Sequence, residues 1–463
     1  MDIRDVGVPE NAVQTASAAE VTIEARAIPA NGHANGAVGA VKGRVVRSSF
    51  SRKLWTFLMV FGPGLIVMQA DNDAGALSTY TQAGAQYGTG LLWLLLILLP
   101  ITFFCQEMVA RLGIATGRGH ARMIYTRFGK WWGRFSLIDL ELVNFLTLVT
   151  EFAAISLALS QVGVPPVVSV PTAAVGLITM VVTGSYLRWE RIAVTLCFLD
   201  AGWFAFAIAG KPAFGDVLHG ALVPQIPHGE LTPGLMFMVI AIVGTTIAPW
   251  QLFFQQSCVA DKKLRFRDLQ YSRIDVAAGA VFMIGSAAAM MLVGDVLHRN
   301  GLSYENPAQM AGVLGPLLGP AVKYGILLLM VNAAVLGTTA ISLASSWAYS
   351  EVVGWEHSLQ KSVREAPGFY AVYIVAILAA AGIVLIPNAP LQLIILGVQV
   401  LAGLMLPSAI IFLQLLLNDR ELLGQYANKR WNNWINWTII AVLFALSAIL
   451  AVQVLLPNLF PTT

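Results

Sequence analysis

Two short polar segments interrupt apolar runs and carry residue types that bind cations. The first spans residues 71–76 and reads DNDAGA, and the second spans residues 244–249 and reads GTTIAP. A carboxylate at membrane depth is costly, so an aspartate inside an apolar run is a functional candidate. Carboxylate and carbonyl oxygens are the usual ligands of hard divalent cations. The two segments therefore predict an ion site with Asp73 as its first ligand.

The two aspartates of the first segment also have simpler interpretations. Asp73 is positioned to cap a half-helix that begins near Gly75. Asp71 shares a face with Asp73 only in an extended segment, because residues two apart point about 200° apart on a continuous helix. Asp71 is therefore expected to contribute to the ion site only if the segment is unwound. Otherwise it is a solvated carboxylate in a vestibule.

Four further polar residues lie within apolar runs: Glu141, Glu151, Asp200 and Gln399. A single buried polar residue most often forms an interhelical hydrogen bond, so each has that ordinary interpretation beside a place in a polar network or proton path. The six histidines fall in loops, tails or the ends of apolar runs. No imidazole ligand is therefore expected in the core. The three cysteines have no paired spacing, and no bound cofactor is expected.

The composition indicates that membrane helices carry these residues. Hydrophobic residues make up 57% of the 463 residues and charged residues only 11%, whereas soluble domains are roughly one-quarter charged. A helix needs about 20 mostly apolar residues to cross a bilayer. Eleven such runs are predicted, at residues 55–81, 89–112, 137–161, 165–184, 190–210, 234–258, 274–297, 322–351, 368–387, 391–417 and 435–456.

Lysine and arginine residues are concentrated in alternate connections, after the second, fourth, sixth, eighth and tenth runs. By the positive-inside rule these connections and the N-terminus are cytoplasmic, and an odd number of runs places the C-terminus on the extracytoplasmic side. We expect a multi-pass protein of the inner cell membrane, with the lipid bilayer as a partner. The cations do not gather on one face, so no nucleic-acid binding is expected.

The two polar segments lie five runs apart. This spacing is typical of an inverted repeat whose broken helices meet near the membrane midplane. The predicted organisation is a disordered cytoplasmic tail at 1–50, a single transporter domain at 51–458 and a short tail at 459–463, the domain containing repeats at 55–210 and 234–417 and an extra helix at 435–456.

Short motifs along most of the chain resemble a known family. In chain order they are Gly62-Pro63-Gly64, QAGAQYG at 82–88, ARLG at 110–113, TGRG at 116–119, Lys211-Pro212, Glu351 with Gly354-Trp355, Gln399 with Leu406-Pro407, Asp419-Arg420, Gly424, Ala427-Asn428 and Arg430-Trp431. They make residues 55–456 similar to the Nramp divalent-metal transporters. The resemblance implies an all-α, LeuT-type fold with a 5+5 inverted repeat and broken helices 1 and 6. It also implies a transporter rather than an enzyme, usually a proton-coupled importer of manganese or ferrous ion.

The chain departs from the family pattern at the ion site. Where the family has Asp-Pro-Gly-Asn, this chain keeps Asp73 but has Ala76 in place of the asparagine. In the second segment the family's methionine and histidine correspond to Ala248 and Trp250. A thioether favours softer transition metals, so its loss removes discrimination against hard ions. The two alanines also widen the cavity.

The family's usual proton route is altered as well. On the third run the two family glutamates match Glu141 and Glu151, but the aspartate between them corresponds to Leu148. These changes resemble the Nramp-related magnesium transporters, in which uptake is not coupled to protons. Glu141, Glu151, Asp200 or Asp73 itself still offers a titratable group for coupling.

The favoured function is uptake of partly hydrated Mg²⁺, with some Mn²⁺, without proton coupling. Mg²⁺ gives up water reluctantly and is commonly held by one or two carboxylates with several waters retained. In this interpretation Asp73 supplies the charge, and Thr245 supplies an oxygen, mainly through its backbone carbonyl. Asp71, Gln251 and Gln399 would line the site or contact the bound waters.

Two other functions stay open at this stage. One is a proton-coupled Mn²⁺ or Fe²⁺ importer with a different ligand set. The other is a transporter or sensor of a small organic cation, in which Asp71, Asp73 and Trp250 would form the pocket, since a fold alone does not fix function. A monomer is expected.

Overall fold

The computed structural model describes residues 62–182, 185–229, 232–387 and 390–455. These residues form helices and their connections and contain no strand. The expected tails at 1–50 and 459–463 lie outside the described residues, as does the start of the first predicted run up to residue 61.

The helices are α1 (Pro63–Ala70), α2 (Ala74–Tyr87), α3 (Leu92–Thr116), α4 (His120–Phe128), α5 (Lys130–Ser160), α6 (Pro166–Val182), α7 (Tyr186–Leu199), α8 (Gly202–Ala209), α9 (Phe214–Leu222), α10 (Pro233–Thr246), α11 (Pro249–Asp261), α12 (Leu269–Arg299), α13 (Pro307–Leu318), α14 (Pro320–Val353), α15 (Pro367–Val384), α16 (Leu391–Leu417), α17 (Arg420–Leu423) and α18 (Arg430–Leu455). Within the described residues, nine helical stretches are long and apolar enough to cross a membrane. The shorter α6, with 17 residues, and the split pair α1 and α2 account for the other two predicted runs. The prediction of an all-α membrane protein with about eleven spans is confirmed.

Some boundaries differ from the predicted runs. Helix α5 begins at Lys130 rather than at residue 137, because its first turns are amphipathic and expose Trp131 and Trp132. The fifth run divides at Asp200 into α7 and α8. Short helices α4, α9 and α13 occupy connections for which no helix was predicted. Elements of this length give too short an apolar pattern to stand out from a loop.

Both predicted breaks are present, between α1 and α2 and between α10 and α11. Close packing fixes the second break against another span. A Cβ atom at Gly244 would collide with the backbone of Gln399 and Gly403 on α16. Glycine therefore lets α10 approach α16 closely, as small residues do between membrane helices. This approach carries Gln399 to the level of the breaks.

The N-terminus of α1 is held by a carboxylate from a distant part of the chain. Asp275 on α12 accepts the backbone N–H groups of Gly62 at 3.3 Å, Gly64 at 2.7 Å and Leu65 at 3.1 Å. The first N–H groups of a helix have no partner within it, and Gly62 offers no side chain to cap them. Asp275 thus satisfies the start of α1 and fastens this short helix to α12.

A hydrogen-bonded layer covers α2 beyond the first break. Tyr304, just before α13, donates to the Ser78 carbonyl at 3.1 Å and lies 3.0 Å from Thr81 Oγ1. The Gln392 amide, at the start of α16, donates to Ser78 Oγ at 2.7 Å and to Gln82 Oε1 at 3.1 Å. Loop and helix ends are therefore tied to α2 between the break and the end of the bundle near Gly88.

One histidine is buried outside the membrane-spanning helices. His120, at the start of α4, is fully buried, and its Nδ1 lies 3.0 Å from Gln256 Oε1 on α11. Its ring also packs edge-on against Phe253, with ring centroids 4.8 Å apart. Burial lowers the pKa of His120 to about 4. The imidazole is therefore neutral at pH 7 and joins α4 to α11.

Replacing Asp275 should destabilise the fold. Asp275→Ala leaves three N–H groups at the start of α1 without their acceptor, a loss of at least about 3 kcal/mol. We expect a clearly lower melting temperature of the purified protein in detergent. The exposed Glu305→Ala is the matched control and should melt like the wild type. An unchanged melting temperature for Asp275→Ala would mean that α1 is held by other contacts.

The buried His120 should make stability depend on pH. An unfolded histidine binds its proton near pH 6.5, whereas the folded His120 does so only near pH 4. As the pH falls the unfolded chain is protonated first, so stability decreases from about pH 6.5 downward. We expect the melting temperature of His120→Gln to fall less between about pH 7 and pH 5 than that of the wild type. The exposed His298→Gln should keep the wild-type slope, and equal slopes for all three proteins would contradict the assignment.

Candidate ion site at the two helix breaks

The first break redirects the backbone between Asp71 and Asp73. Asp71 keeps helical φ and ψ angles of −76° and −22°, whereas Asp73 is extended at −66° and −176°. The Ala74 N–H donates to Glu151 Oε2 at 3.2 Å and not to the Ala70 carbonyl four residues before it. The Ala70 carbonyl is thus left at the break without its normal helical donor.

Proline produces the second break. Pro249 lies four residues after Thr245 and has no N–H, so the Thr245 carbonyl cannot accept the usual helical hydrogen bond. Thr245 Oγ1 is also buried without a hydrogen-bond partner among the described residues. The neighbouring Thr246 differs, because its hydroxyl contacts the Ile242 carbonyl at 2.6 Å and Tyr80 Oη at 2.8 Å. Thr245 therefore offers two oxygens at the end of α10.

Asp73 lies at the start of α2 and caps it. Its Oδ1 accepts the Ala76 N–H at 2.8 Å, so the capping interpretation is realised in the structure. Asp73 is only 3% exposed, and the positive end of the helix dipole favours its negative charge. A carboxylate has about four lone-pair sites, so a single cap leaves capacity for a cation. Its assignment as a metal ligand stays a prediction.

Glu151 on α5 reaches the first break beside Asp73. A Cβ atom at Gly337 on α14 would lie 2.9 Å from both Asp73 Cβ and Glu151 Cδ, so these two side chains meet in the space that the glycine leaves. Glu151 Oε2 accepts the Ala74 N–H, and its Oε1 is buried without a partner among the described residues. Glu151 therefore supports the backbone at the break and lies next to the candidate ligand.

Glu141 and Asp200, the other two acidic residues predicted for a polar network, lie away from Asp73 and Glu151. Glu141 precedes Glu151 by ten residues on α5, about 15 Å along a helix. Asp200 accepts from Asn332 Nδ2 at 2.9 Å. The Gln69 amide reaches the second Asp200 oxygen at 3.3 Å in the orientation that also accepts the Met283 N–H. Asp200 thus forms the interhelical polar contacts that are the ordinary interpretation of such a residue.

Asp71 is engaged by a chain of two amides. Gln251 Nε2 on α11 donates to Asp71 Oδ1, and Gln251 Oε1 accepts from Gln106 Nε2 on α3 at 2.6 Å. Asp71 is 1% exposed, and its Oδ2 has no partner among the described residues. Gln251 therefore contacts Asp71 with its amide nitrogen, and its amide oxygen faces Gln106.

Gln399 packs over the first turn of α2. A Cβ atom at Gly75 would lie 2.5 Å from Gln399 Cδ, closer still to its amide nitrogen, and 3.2 Å from Asp73 Oδ1. The Gln399 Nε2 atom is buried without a partner in the described part of the chain. Gly75 is thus required for the Gln399 amide to approach Asp73, and α16 contributes a polar group to the first break.

Three positions that depart from the family pattern at the breaks are also buried. Ala76 contributes its backbone N–H to Asp73, and Ala248 is the residue before α11, 5% exposed. Neither side chain carries a donor atom for a metal. Trp250 is fully buried and packs edge-on against Phe254, with centroids 6.1 Å apart. It belongs to the aromatic packing of α11 as well as to the neighbourhood of the break.

Three contributors at the breaks were not predicted from the sequence. They are Gln106, the Ala70 carbonyl and Tyr80, whose hydroxyl joins α2 to α10 through Thr246. Gln106 and Tyr80 lie inside apolar runs, and that placement was the available signal for a buried polar partner. A free carbonyl has no side-chain signal at all.

In the part of the chain that the structure describes, no basic side chain forms an ion pair with the aspartates. The ion pairs in the described ranges lie elsewhere, and none of them includes Asp71, Asp73 or Glu151. The same ranges contain no group of three or more His, Cys, Asp or Glu side chains that could hold a metal ion. A cation at the breaks would therefore depend on backbone carbonyls, amide oxygens or retained water besides the aspartates.

Comparison with known proteins identifies the family. The model of the family described as natural resistance-associated macrophage protein-like, Nramp, matches residues 64–453. The chain belongs to the Nramp family. The predicted resemblance is thus confirmed, and the chain is a multi-pass membrane protein.

Relatives of this Nramp chain are described as transporters, in agreement with the expectation that it is not an enzyme. The divalent metal cation transporter MntH of Staphylococcus aureus strain JH9 is 27% identical over 435 residues, covering 88% of this chain and 93% of the relative. The MntH of strain Newman gives the same values.

Solved structures confirm the fold. A manganese transporter of Eremococcus coleocola, in complex with an aromatic bis-isothiourea substituted compound, has a TM-score of 0.74 at 19% identity, with 90% of each chain covered. MhsT in complex with L-phenylalanine has a TM-score of 0.60 at 14% identity, covering 85% of this chain and 98% of that one. The LeuT-type architecture expected from the resemblance is confirmed.

Proposed function

We propose that this protein is a secondary transporter that takes up partly hydrated Mg²⁺, with some Mn²⁺, without coupling to protons. The observation that carries the proposal is the donor set at the two breaks. Asp71, Asp73, the Ala70 carbonyl and both oxygens of Thr245 are all hard oxygen donors, and the residue in the family's methionine position is Ala248. Oxygen-only ligation suits Mg²⁺ and Mn²⁺ and gives no advantage to softer metals.

Charge balance supports a divalent substrate. Asp71 and Asp73 are almost completely buried and form no ion pair with a basic residue in the described ranges. Burying uncompensated charge is strongly unfavourable. A single divalent cation would offset the charge of two of the three buried carboxyl groups at the first break, which are Asp71, Asp73 and Glu151. With so few protein ligands the ion would keep part of its water shell, which is the usual state of protein-bound Mg²⁺.

The third span supports transport without protons. Residues at intervals of three and four share a face of α5, so Glu141, Asn144, Leu148 and Glu151 lie in one row. Leu148 and Asn144 do not titrate, and they separate the two glutamates along the helix. A proton leaving Glu151 therefore has no ionisable group on this row before Glu141, about 15 Å away.

Closures at both ends support alternating access to the breaks. Asp275 holds the start of α1 at the end near Gly62, and Tyr304 and Gln392 cover α2 toward the other end. The positively charged connections follow spans that return to the side of Gly62, and the positive-inside rule would make that side cytoplasmic. Uptake would then run from the Tyr304 layer past the breaks to the α1 end, in the inner cell membrane.

Proteoliposomes of the purified protein test the proposal. Uptake of Mg²⁺ and Mn²⁺ is followed together with an internal pH dye under an imposed membrane voltage. We expect voltage-driven Mg²⁺ influx without acidification, and Mn²⁺ influx that Mg²⁺ inhibits. Mn²⁺ influx with acidification and no Mg²⁺ transport would overturn the proposal in favour of a proton-coupled manganese importer. Absence of influx of either ion would favour an organic substrate.

Asp73→Ala should abolish uptake while leaving the protein folded. It removes the carboxylate that starts α2 at the break, and helix capping alone is worth only about 1 kcal/mol. We expect influx at the level of empty liposomes and a melting temperature close to that of the wild type. The exposed Asp216→Ala is the control and should transport normally. Normal uptake by Asp73→Ala would remove Asp73 from the ion site.

Ala248→Met should shift the selectivity toward manganese. A thioether at the second break favours later transition metals and gives nothing to Mg²⁺. We expect the ratio of Mn²⁺ to Mg²⁺ uptake to rise by roughly tenfold. Ala379→Met, on the exposed face of α15, controls for the added bulk and should keep the wild-type ratio. An unchanged ratio in Ala248→Met would mean that this position does not face the ion.

Thr245→Ala should have a mild effect. The carbonyl released by Pro249 is retained in this variant, and only the unpartnered hydroxyl is lost. We expect the KM for Mg²⁺ uptake to change by less than about threefold, well short of the 10–100-fold typical of a lost metal-site contact. Loss of uptake comparable to that of Asp73→Ala would instead make the hydroxyl an essential ligand.

A further inference from the structure

Gln106 lies in the apolar helix α3, and its amide is directed at the ion site through one intermediate. We infer that Gln106 is a positioning residue that fixes the orientation of the Asp71 carboxylate through Gln251. Gln106 would not touch the ion itself. The inference rests on the proposed function, because it treats Asp71 as a second carboxylate of the cation site.

The Gln251 amide has two chemically different ends. One end is an acceptor oxygen and the other an NH₂ donor, and the two orientations occupy nearly the same space. Only the orientation with Nε2 toward Asp71 gives an attractive contact, and it is the one observed. In the other orientation the amide oxygen would face a carboxylate oxygen and repel it.

Gln106 stabilises the orientation that Asp71 requires. Its Nε2 donates to Gln251 Oε1 at 2.6 Å, so the oxygen of Gln251 is held away from Asp71. A buried donor or acceptor without a partner costs about 1–3 kcal/mol, so turning over the Gln251 amide would lose both bonds and create two repulsive contacts. The Asp71 carboxylate, which only accepts, sets the direction of this chain of bonds, and the bond from Gln106 on α3 stabilises it.

Asp71 gains a defined free oxygen from this arrangement. With Oδ1 bonded to Gln251, the carboxylate cannot rotate freely, and its Oδ2 remains buried without a partner in the described part of the chain. The Asp71 Oδ2 atom, in a residue that is 1% exposed, is thereby left with its lone pairs available to bind a cation. Affinity for hard cations depends on the number of charged ligands and on the rigidity of the site. Fixing Asp71 would add a charged ligand to the site and make the site more rigid.

Gln106 itself is unusual for a purely structural residue. It is fully buried, and its own Oε1 has no partner in the described ranges. An apolar residue of the same size would avoid that unsatisfied oxygen. The amide is therefore explained by the bond that it donates, since the fold alone would be served by methionine or leucine.

A double-mutant cycle with Asp71 tests the inference. Magnesium affinity is measured by calorimetry on the purified protein for the wild type, Gln106→Met, Asp71→Asn and the double variant. We expect Gln106→Met to weaken Mg²⁺ binding about tenfold in the wild-type background, as loss of an outer contact to a metal ligand typically does. In the Asp71→Asn background the same change should have less than a twofold effect, because coupled residues are not additive.

Two further variants separate positioning from packing. Gln106→Glu keeps the shape but, when ionised, accepts from Gln251 and turns the Gln251 oxygen toward Asp71, so it should weaken binding at least as much as Gln106→Met. Gln256→Met removes another buried amide of α11, which bonds the Arg118 carbonyl and His120 and not Asp71. It should keep the wild-type affinity for Mg²⁺. Melting temperatures identify any variant that is not folded, and Gln106→Glu then replaces Gln106→Met in the cycle.

The outcomes distinguish this inference from the proposed function. Failure of the wild type to bind Mg²⁺ or Mn²⁺ overturns the proposed function, and the role of Gln106 with it. Binding by the wild type that Asp73→Ala abolishes, but that Gln106→Met and Gln106→Glu leave unchanged, overturns the inference alone. An equal loss with and without Asp71→Asn also overturns it, because Gln106 would then act through general packing.

Discussion

Burial of two carboxylates at the break between α1 and α2, without a basic partner in the described residues, constrains the rest of this structure. The free energy of such charges in a low-dielectric interior is high unless something compensates them. Here the compensation comes from groups with a partial positive charge: the N–H groups at the start of α2 for Asp73 and the Gln251 amide for Asp71. The N–H groups at the start of α2 and the Gln251 amide meet at the first helix break.

The breaks also release backbone oxygens that a continuous helix would use internally. At α10 proline removes the donor, whereas at α1 a glutamate from another helix takes the donor away. Two different residues thus achieve the same result in the two halves of an inverted repeat. Irregular backbone at membrane depth is tolerated only where protein or water surrounds it. Here protein surrounds the breaks, because Gly75 leaves room for the Gln399 side chain and Gly244 lets α10 pack closely against α16.

Much of this arrangement could be predicted from local sequence. The spans follow from apolar run length, the breaks from Asp, Gly and Pro inside those runs, and Asp73 from the cost of a charge at that depth. Contacts between distant segments could not be predicted, because they depend on which helix faces meet. Gln106 and Gln251 are hydrogen-bonded although they are 145 residues apart in the sequence, and Asp275 and Gly64 are 211 residues apart. The burial of His120 could not be predicted either, because nothing in the sequence of its short helix indicates that α11 packs against it.

The fastening of α1 by Asp275 has a consequence for the speed of the transport cycle. Helix α1 is eight residues long and is followed directly by the break, about which it could swing. Swinging it outward to open a path would require three N–H···O contacts at its far end to separate together. These contacts would form a kinetic barrier remote from the break, so substitutions on α12 could change the rate of this motion without changing the residues at the break.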